Sequence, residues 1–401
     1  MSGRAAYAPR PGGKLVLRWL PPGEENSLAV AGRDSVFVVL FKEQLHHVVL
    51  GRRPRLLGRQ PAPVAAMTRL ALDPAGNWWC FGSRQRGVVR GGEAQPFIQR
   101  LAPPDGAAVS ARAITRTADG RLLISSYRRL MEQPAHAPAA PLREWAYARE
   151  TGRPVLPVFY ALTATQPASD PLLGALESGR FAYLSTRTHA VYDVPVLGRS
   201  APPLATSLRR DPATGRLWGG AGTGLYWYDD TRRVFRANAA PADSVRRPLR
   251  DVPIEELALD SAGRLWLAGP TGLRCLWPAT GRVVRYGTSE PATRRLPTDD
   301  CLCVWPDPHT GRVWVGTHTH GLLELDPARG VRRVIGPEQG LPNVAVGGLL
   351  PGPDRSLWLS TYYGLARLSL RTGRLAVFAA ADGLSDPPEL NRHSAWAEAD
   401  G

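Results

Sequence analysis

Short apolar runs alternate with tight polar turns along most of this chain, and the alternation keeps a period. Ile254 to Leu259, apolar but for Glu255-Glu256, is closed by Asp260-Ser-Ala-Gly263, after which Arg264-Leu-Trp266-Leu-Ala-Gly269 returns to apolar character. Runs of four to six apolar residues between Asp, Gly, Pro and Thr have the length of strands, not helices. Leu302 to Trp305 matches Ile254 to Leu259 as a first strand, and Leu-Trp-x-Gly segments supply the second. A third strand opens on Gly-Leu, at Gly321 to Leu325 and Gly364 to Leu368, and a Thr-Gly-Arg turn leads to a fourth, at Arg282 to Tyr286 and Arg374 to Ala379. In the Asp-x-x-Gly turn, Asp caps its own backbone and Gly263 or Gly311 takes the φ > 0 position.

The unit recurs. Asp211-Pro-Ala-Thr-Gly215-Arg-Leu-Trp218, Asp307-Pro-His-Thr-Gly311-Arg-Val-Trp314 and Gly352-Pro-Asp-Arg-Ser-Leu-Trp358 repeat the pattern around Trp266. Asp73-Pro-Ala-Gly76-Asn-Trp-Trp79 is a fair copy, and the segments around Leu123 and Tyr183 are weaker ones. Trp218, Trp266, Trp314 and Trp358 are 48, 48 and 44 residues apart, which is the spacing of propeller blades. The predicted fold is all-β: a β-propeller of four-stranded antiparallel blades, with seven blades expected, eight if every weak copy is a blade, and the last incomplete. Each such sheet has two apolar faces and must stack radially, so Trp79, Trp218, Trp266, Trp314 and Trp358 are expected to pack between blades. The reading divides the chain into an irregular segment over 1–27 and a propeller over 28–401. Clear repeats cover 205–378, degenerate ones 60–204, and a partial blade 379–401. Residues 130–176, rich in Ala and Pro, read as an insertion.

Charge and cysteine content change this picture little. The formal charge is +15, but only Lys14 and Lys42 are lysines; the remaining basic residues are arginines scattered through turns. Without a basic helix or a recognition motif, a dedicated nucleic-acid interface is not expected. Four cysteines, none in a CxxC pair, do not make a disulfide scaffold. Met1 to Asn26 lacks an uninterrupted apolar core, so no signal peptide is visible, and no run approaches a membrane span.

Gly340-Leu-Pro-Asn343, followed by Leu-Trp358 and Gly364-Leu365, resembles the two-component regulator propeller repeat; 205–401 match well, 60–204 loosely and the first 60 residues poorly. The resemblance implies a periplasmic ligand-sensing region of hybrid two-component histidine kinases, often responsive to carbohydrates and coupled to a phosphorelay. Ala381-Asp-Gly-Leu384 and Glu389-Leu-Asn391 are similar to the family's final blade, with Leu for Phe, and Asp400-Gly401 falls where a further strand is expected. The sequence therefore reads as truncated ahead of an Ig-like domain, membrane helix and kinase output, and as cytoplasmic if expressed as written. Alternatively, the last strand pairs with Ser35 to Phe41 and closes the ring.

No Walker loop, nucleophile elbow, HExxH or histidine-kinase H-box is present, so the chain itself carries no kinase chemistry. Topology places the entry to each first strand and the turn between strands two and three on one rim. There Asn343, Tyr362, Tyr363, His318, His320 and Thr271, with Thr223, are candidate ligand-binding residues, since aromatic rings beside polar groups suit sugar or peptide capture. Cys301 and Cys303, facing one side as i and i+2, could meet His318 and His320 as a Cys2His2 zinc site, although the spacing fits no finger; no metal or cofactor is expected. Asp299-Asp300 reads as a solvated turn. The function expected is a non-enzymatic sensor binding a small molecule or oligosaccharide, with signalling domains in full-length relatives and a homodimer allowed. The alternatives are a propeller lyase or lactonase acting on carbohydrate, and a protein-interaction scaffold.

Overall fold

The computed structural model describes residues 111–126, 129–135, 140–145, 158–163, 171–197, 205–237, 251–352 and 355–378, single residues Leu249 and Leu384, and backbone strands within 29–91. The segments 1–27 and 379–401 singled out above fall almost wholly outside these residues. The chain divides into two compact units, Met1–Arg100 with Ala379–Ser385 and Leu101–Phe378 with Asp386–Gly401.

The first unit holds two sheets. One has four strands, Ala29–Arg33, Val36–Phe41, Gln44–Val49 and Arg55–Pro61; the other has three, Met67–Leu72, Trp78–Gly82 and Val88–Gly91. Val36–Phe41 is paired on both edges by strands of its own sheet, so it is not available as a closing strand.

The second unit is a succession of six antiparallel blades: blade 1 (111–144), blade 2 (159–193), blade 3 (205–237), blade 4 (256–286), blade 5 (301–335) and blade 6 (346–378). The first strand of each lies beside the first strand of the next, and strands then follow outward in chain order. That is the β-propeller arrangement, with first strands around an axis. Six blades are observed here where seven, or eight, are expected; the first unit holds its own four-stranded and three-stranded sheets. The segment 130–176, read as an insertion, instead contributes strands to blades 1 and 2. Blade 3 gains a fifth, outermost strand. Val196–Leu197, from the connection out of blade 2, runs parallel to Val234–Ala237.

The tryptophans sit where the period places them. Trp266, fully buried, packs with Cys301, Val304, Val313 and Val315 of blade 5. Trp314 meets Val346, Leu357 and Leu359 of blade 6, and Trp218 meets Ile254, Leu257 and Leu265 of blade 4. Each ring thus fills the gap between its own second strand and the next blade. Trp358, on blade 6, is only partly buried and has Phe378 and Arg367 as neighbours. The side chain of Trp79 lies outside the described residues. Tyr183 is the exception to the register: Gly179-Arg180 turns between strands two and three of blade 2, so Tyr183 sits one strand further out, its hydroxyl against that of Tyr228 in blade 3.

The Asp-x-x-Gly turn does more than reverse the chain. Asp260 Oδ1 accepts from the amides of Ala262 and Arg264, and Oδ2 accepts from Arg264 Nε at 2.6 Å and from Trp266 Nε1 at 2.8 Å. Asp211-Pro-Ala-Thr-Gly215 is one residue longer. Its Asp211 takes Ala213 N and the Thr214 hydroxyl instead, and the buried Trp218 Nε1 finds no acceptor among the described residues. Asp307, in the same longer turn, is completed from the next blade by Arg355, whose two terminal nitrogens each reach one carboxylate oxygen at 3.0 Å. Arg355 occupies the turn position that glycine holds elsewhere: its φ is +56°, against +72° at Gly263 and +67° at Gly311.

Two outcomes follow. Replacing Trp266 by Phe deprives Asp260 of a donor, whereas the same change at Trp218 removes an unsatisfied N–H. Urea unfolding should therefore show Trp266→Phe costing about 1–2 kcal/mol more than Trp218→Phe. Arg355→Gly relieves a positive φ but strands a buried carboxylate, for a net loss of about 2 kcal/mol at neutral pH. Burial alone would raise the Asp307 carboxyl, yet the Thr310 hydroxyl, the His309 amide and the Arg355 guanidinium hold it below the ordinary carboxylate value. A depressed folded pKa stabilises above the unfolded value and loses that contribution as pH falls. The gap between Arg355→Gly and the parent should thus narrow below pH ~4; a gap constant from pH 7 to pH 3 contradicts this account.

Candidate functional site

Five of the six first strands open with a one-residue bulge, at Ala111/Ala113, Phe159/Ala161, Ala205/Ser207, Cys301/Cys303 and Val346/Gly348. The bulge decides the fate of the proposed thiol pair. Its extra residue, Leu302, turns Cys301 and Cys303 onto opposite faces of the sheet. Cys301 enters the core shared with blade 4, and Cys303 the core shared with blade 6. There the Cys303 Sγ fills the space a Gly316 Cβ would take and donates to Val346 O. Burial pushes the Cys301 thiol up to about 12, with Asp299 and Asp300 adding to the rise. His318 and His320 lie on the exposed rim, so the four residues do not converge. No metal-binding group of three or more His, Cys, Asp or Glu lies among the described residues.

The rim itself is stitched blade to blade. Turns between strands two and three exchange backbone hydrogen bonds with the chain entering the next blade: Ile254 N donates to Ala221 O, Cys301 N to Gly269 O and Gly321 N to Val344 O; within blade 6, Tyr362 N donates to Ala345 O. On this frame His318 lies between Asp300 and Tyr362. Its Nδ1 is 3.1 Å from Asp300 Oδ2, and its ring centroid is 5.8 Å from that of Tyr362. A carboxylate only accepts, so Nδ1 is the donor in this contact. Tyr363 follows, 61% exposed.

The other candidates are placed differently. Asn343 Oδ1 accepts from Ala345 N at 2.8 Å and so fixes the loop entering blade 6 beside Tyr362. His320 Nδ1 pairs with the Thr319 hydroxyl, and the Thr271 hydroxyl accepts from Arg274; neither joins the His318–Tyr362 contact. Thr223 bonds the Tyr226 hydroxyl. Asp299 is no freely solvated turn residue: it accepts from the amide and hydroxyl of Thr288 and from Arg285 Nη2. Burial raises its carboxyl and these donors outweigh that, leaving it below the ordinary value. Asp300, read from sequence as its solvated twin, is the partner of His318.

A second feature was not visible in the sequence. First-strand residues of blades 1, 2, 3 and 6, with Glu256 of blade 4, line a cavity of about 250 Å³ on the axis. Glu256 spans three blades, accepting from Arg209 Nη2 at 3.1 Å and from Val304 N at 3.2 Å. It ties neighbouring first strands whose inner edges have no further strand to pair with.

No family model matches the chain, and no curated protein matches it. Solved structures do. A catalytically inactive virginiamycin B lyase from Staphylococcus aureus, solved with quinupristin, is 11% identical, covers 70% of this chain and 87% of its own, and has a TM-score of 0.50. The extracellular domain of BT4673 from B. thetaiotaomicron, a protein assigned to the hybrid two component systems, is 14% identical over 92% of this chain with a TM-score of 0.40. PorZ, a surface component of the type-IX secretion system of Porphyromonas gingivalis, is 13% identical over 86% of this chain, also at 0.40. This chain spans 58% of the BT4673 domain and 57% of PorZ. At such identities the likeness is one of fold, and the fold is the β-propeller.

Proposed function

We propose that this chain is the ligand-binding propeller of a two-component sensor, acting without catalysis outside the cytoplasm and capturing a carbohydrate on the rim formed by blades 5 and 6. The observation that carries this reading is the half-buried Tyr362 against His318 and Asp300, followed by the exposed Tyr363. The group offers ring faces for a sugar, with a carboxylate and an imidazole nitrogen for its hydroxyls. The Gly-Leu-Pro-Asn343 sequence, which resembles the sensor repeat, sets the loop beside these rings. No helix among the described residues is long and apolar enough to cross a membrane. On this reading signal output belongs to domains outside these residues.

One observation favours a second reading. A histidine whose Nδ1–H is held by a carboxylate, leaving Nε2 basic, has the geometry of a general base. A carbohydrate lyase or lactonase would use His318 in that role.

Calorimetric titration with a panel of neutral oligosaccharides separates the two. The sensor reading expects saturable binding without turnover, weakened about ten-fold in Tyr362→Ala/Tyr363→Ala. Product formation that disappears in His318→Ala supports the enzyme reading instead. Binding untouched by the tyrosine changes removes this rim as the site.

A further inference from the structure

The arginines that are scattered in sequence are gathered in space. Among the described residues the tripeptide Thr-Gly-Arg occurs at 214–216, 280–282, 310–312 and 372–374, once in each of blades 3 to 6. Each time the glycine takes φ between +67° and +73°, and the arginine amide donates to the threonine hydroxyl at 3.3–3.4 Å. Every one of these turns joins strands one and two or three and four. Antiparallel order therefore puts them all at the end of the blades opposite the His318 rim. Arg216, Arg233, Arg282, Arg329, Arg371 and Arg374 are exposed in such turns, with no carboxylate in ion-pair distance among the described residues. At the other end Arg285 and Arg294 pair with Glu290, and Arg285 also with Asp299.

Two of the unmatched guanidiniums are held in place. Arg216 lies 5.3 Å from the Trp227 ring centre, and Arg282 lies 4.7 Å from that of Trp277. The opposite partners, Arg236 and Arg264, also lie over those rings, but are neutralised by Asp229 and Asp260. A guanidinium stacked on an indole keeps its in-plane N–H groups free for an oxyanion fork. With sheets packing about 10 Å apart, four blades set these arginines along an arc on the order of 30 Å, too long for one small ion.

We infer that this end of blades 3 to 6 is a docking surface for an acidic polysaccharide, a polymer bearing carboxylate or sulfate groups. This rests on the carbohydrate reading above only for the class of polymer; the surface itself is a second one, at the other end of the blades. The surface suits other polyanions less well. Trp227 and Trp277 are each flanked by two guanidiniums and leave no platform for base stacking. The turns project no helix or ribbon into a groove. Among the described residues the exposed large apolar side chains, Tyr192, Leu197, Val334, Tyr363 and Val377, all lie outside these turns, so these turns offer an acidic protein no apolar anchor.

Polygalacturonate is the probe, titrated into the full chain while indole fluorescence and heat are followed. Saturable binding should steepen as salt falls, while neutral dextran gives none. Arg216→Gln/Arg282→Gln/Arg374→Gln should weaken binding at least ten-fold and lower the slope of log K against log salt by roughly two to three. The matching Arg→Lys triple, which keeps charge and fold but loses the fork geometry, should still weaken binding several-fold. Unchanged affinity in both triples overturns the inference, as does tighter binding of single-stranded DNA or of phosphatidylglycerol vesicles. Tyr362→Ala/Tyr363→Ala should leave polygalacturonate binding intact, so failure on one rim is read separately from failure on the other.

Discussion

The blades of the second unit have two largely apolar faces, and neither can be left to water. A four-stranded blade buried on one side alone would leave rows of Leu, Val and Trp exposed, so each blade is stable only between neighbours. The second-strand tryptophan is where this constraint is discharged. Trp218, Trp266 and Trp314 reach across the gap and are covered by the following blade. The turns, the rim hydrogen bonds and the two ends of the blades are placed relative to that contact.

Once the rings are seated, the polar residues around them are constrained in turn. The edge and face of each indole must meet something. Asp260 takes the Trp266 N–H, and arginines from the adjacent turns cover ring faces at Trp218, Trp227, Trp266 and Trp277. Part of the positive charge in the turns, at Arg216 and Arg282, is therefore a by-product of covering tryptophan, and topology directs it to one end. The opposite end is built from entry loops and carries the mixed groups Asp300, His318 and Tyr362. One architecture thus gives the two ends different chemistry.

How much of this the sequence disclosed depended on how local the signal was. The Trp266 and Trp314 units could be read because turn chemistry and spacing sit within a dozen residues. The sheet over 29–61 lacks both the tryptophan and the Asp-x-x-Gly turn; only the run Val36–Phe41 hints at it, and a single apolar run does not define a blade. Tyr183 matched the pattern, but a preceding strand over 159–164 moved it outward by one position. Cys301 and Cys303 illustrate a different limit. Period-two reasoning put both thiols on one face, and a single bulged residue undid it. The His318–Asp300 contact and the gathering of arginines depend on which ends of strands coincide, and no window of sequence contains that.

The parallel strand Val196–Leu197 has a consequence for how the molecule comes apart. Blade 3 is finished at its outer edge by a segment that leaves blade 2, hydrogen-bonded through Phe235 N to Pro195 O, while Val194 N is still tied to Phe181 O in blade 2. The joint between these blades is a shared hem, not a hinge. Loosening blade 2 strips an edge from blade 3, and so local fraying spreads across the boundary instead of stopping at it.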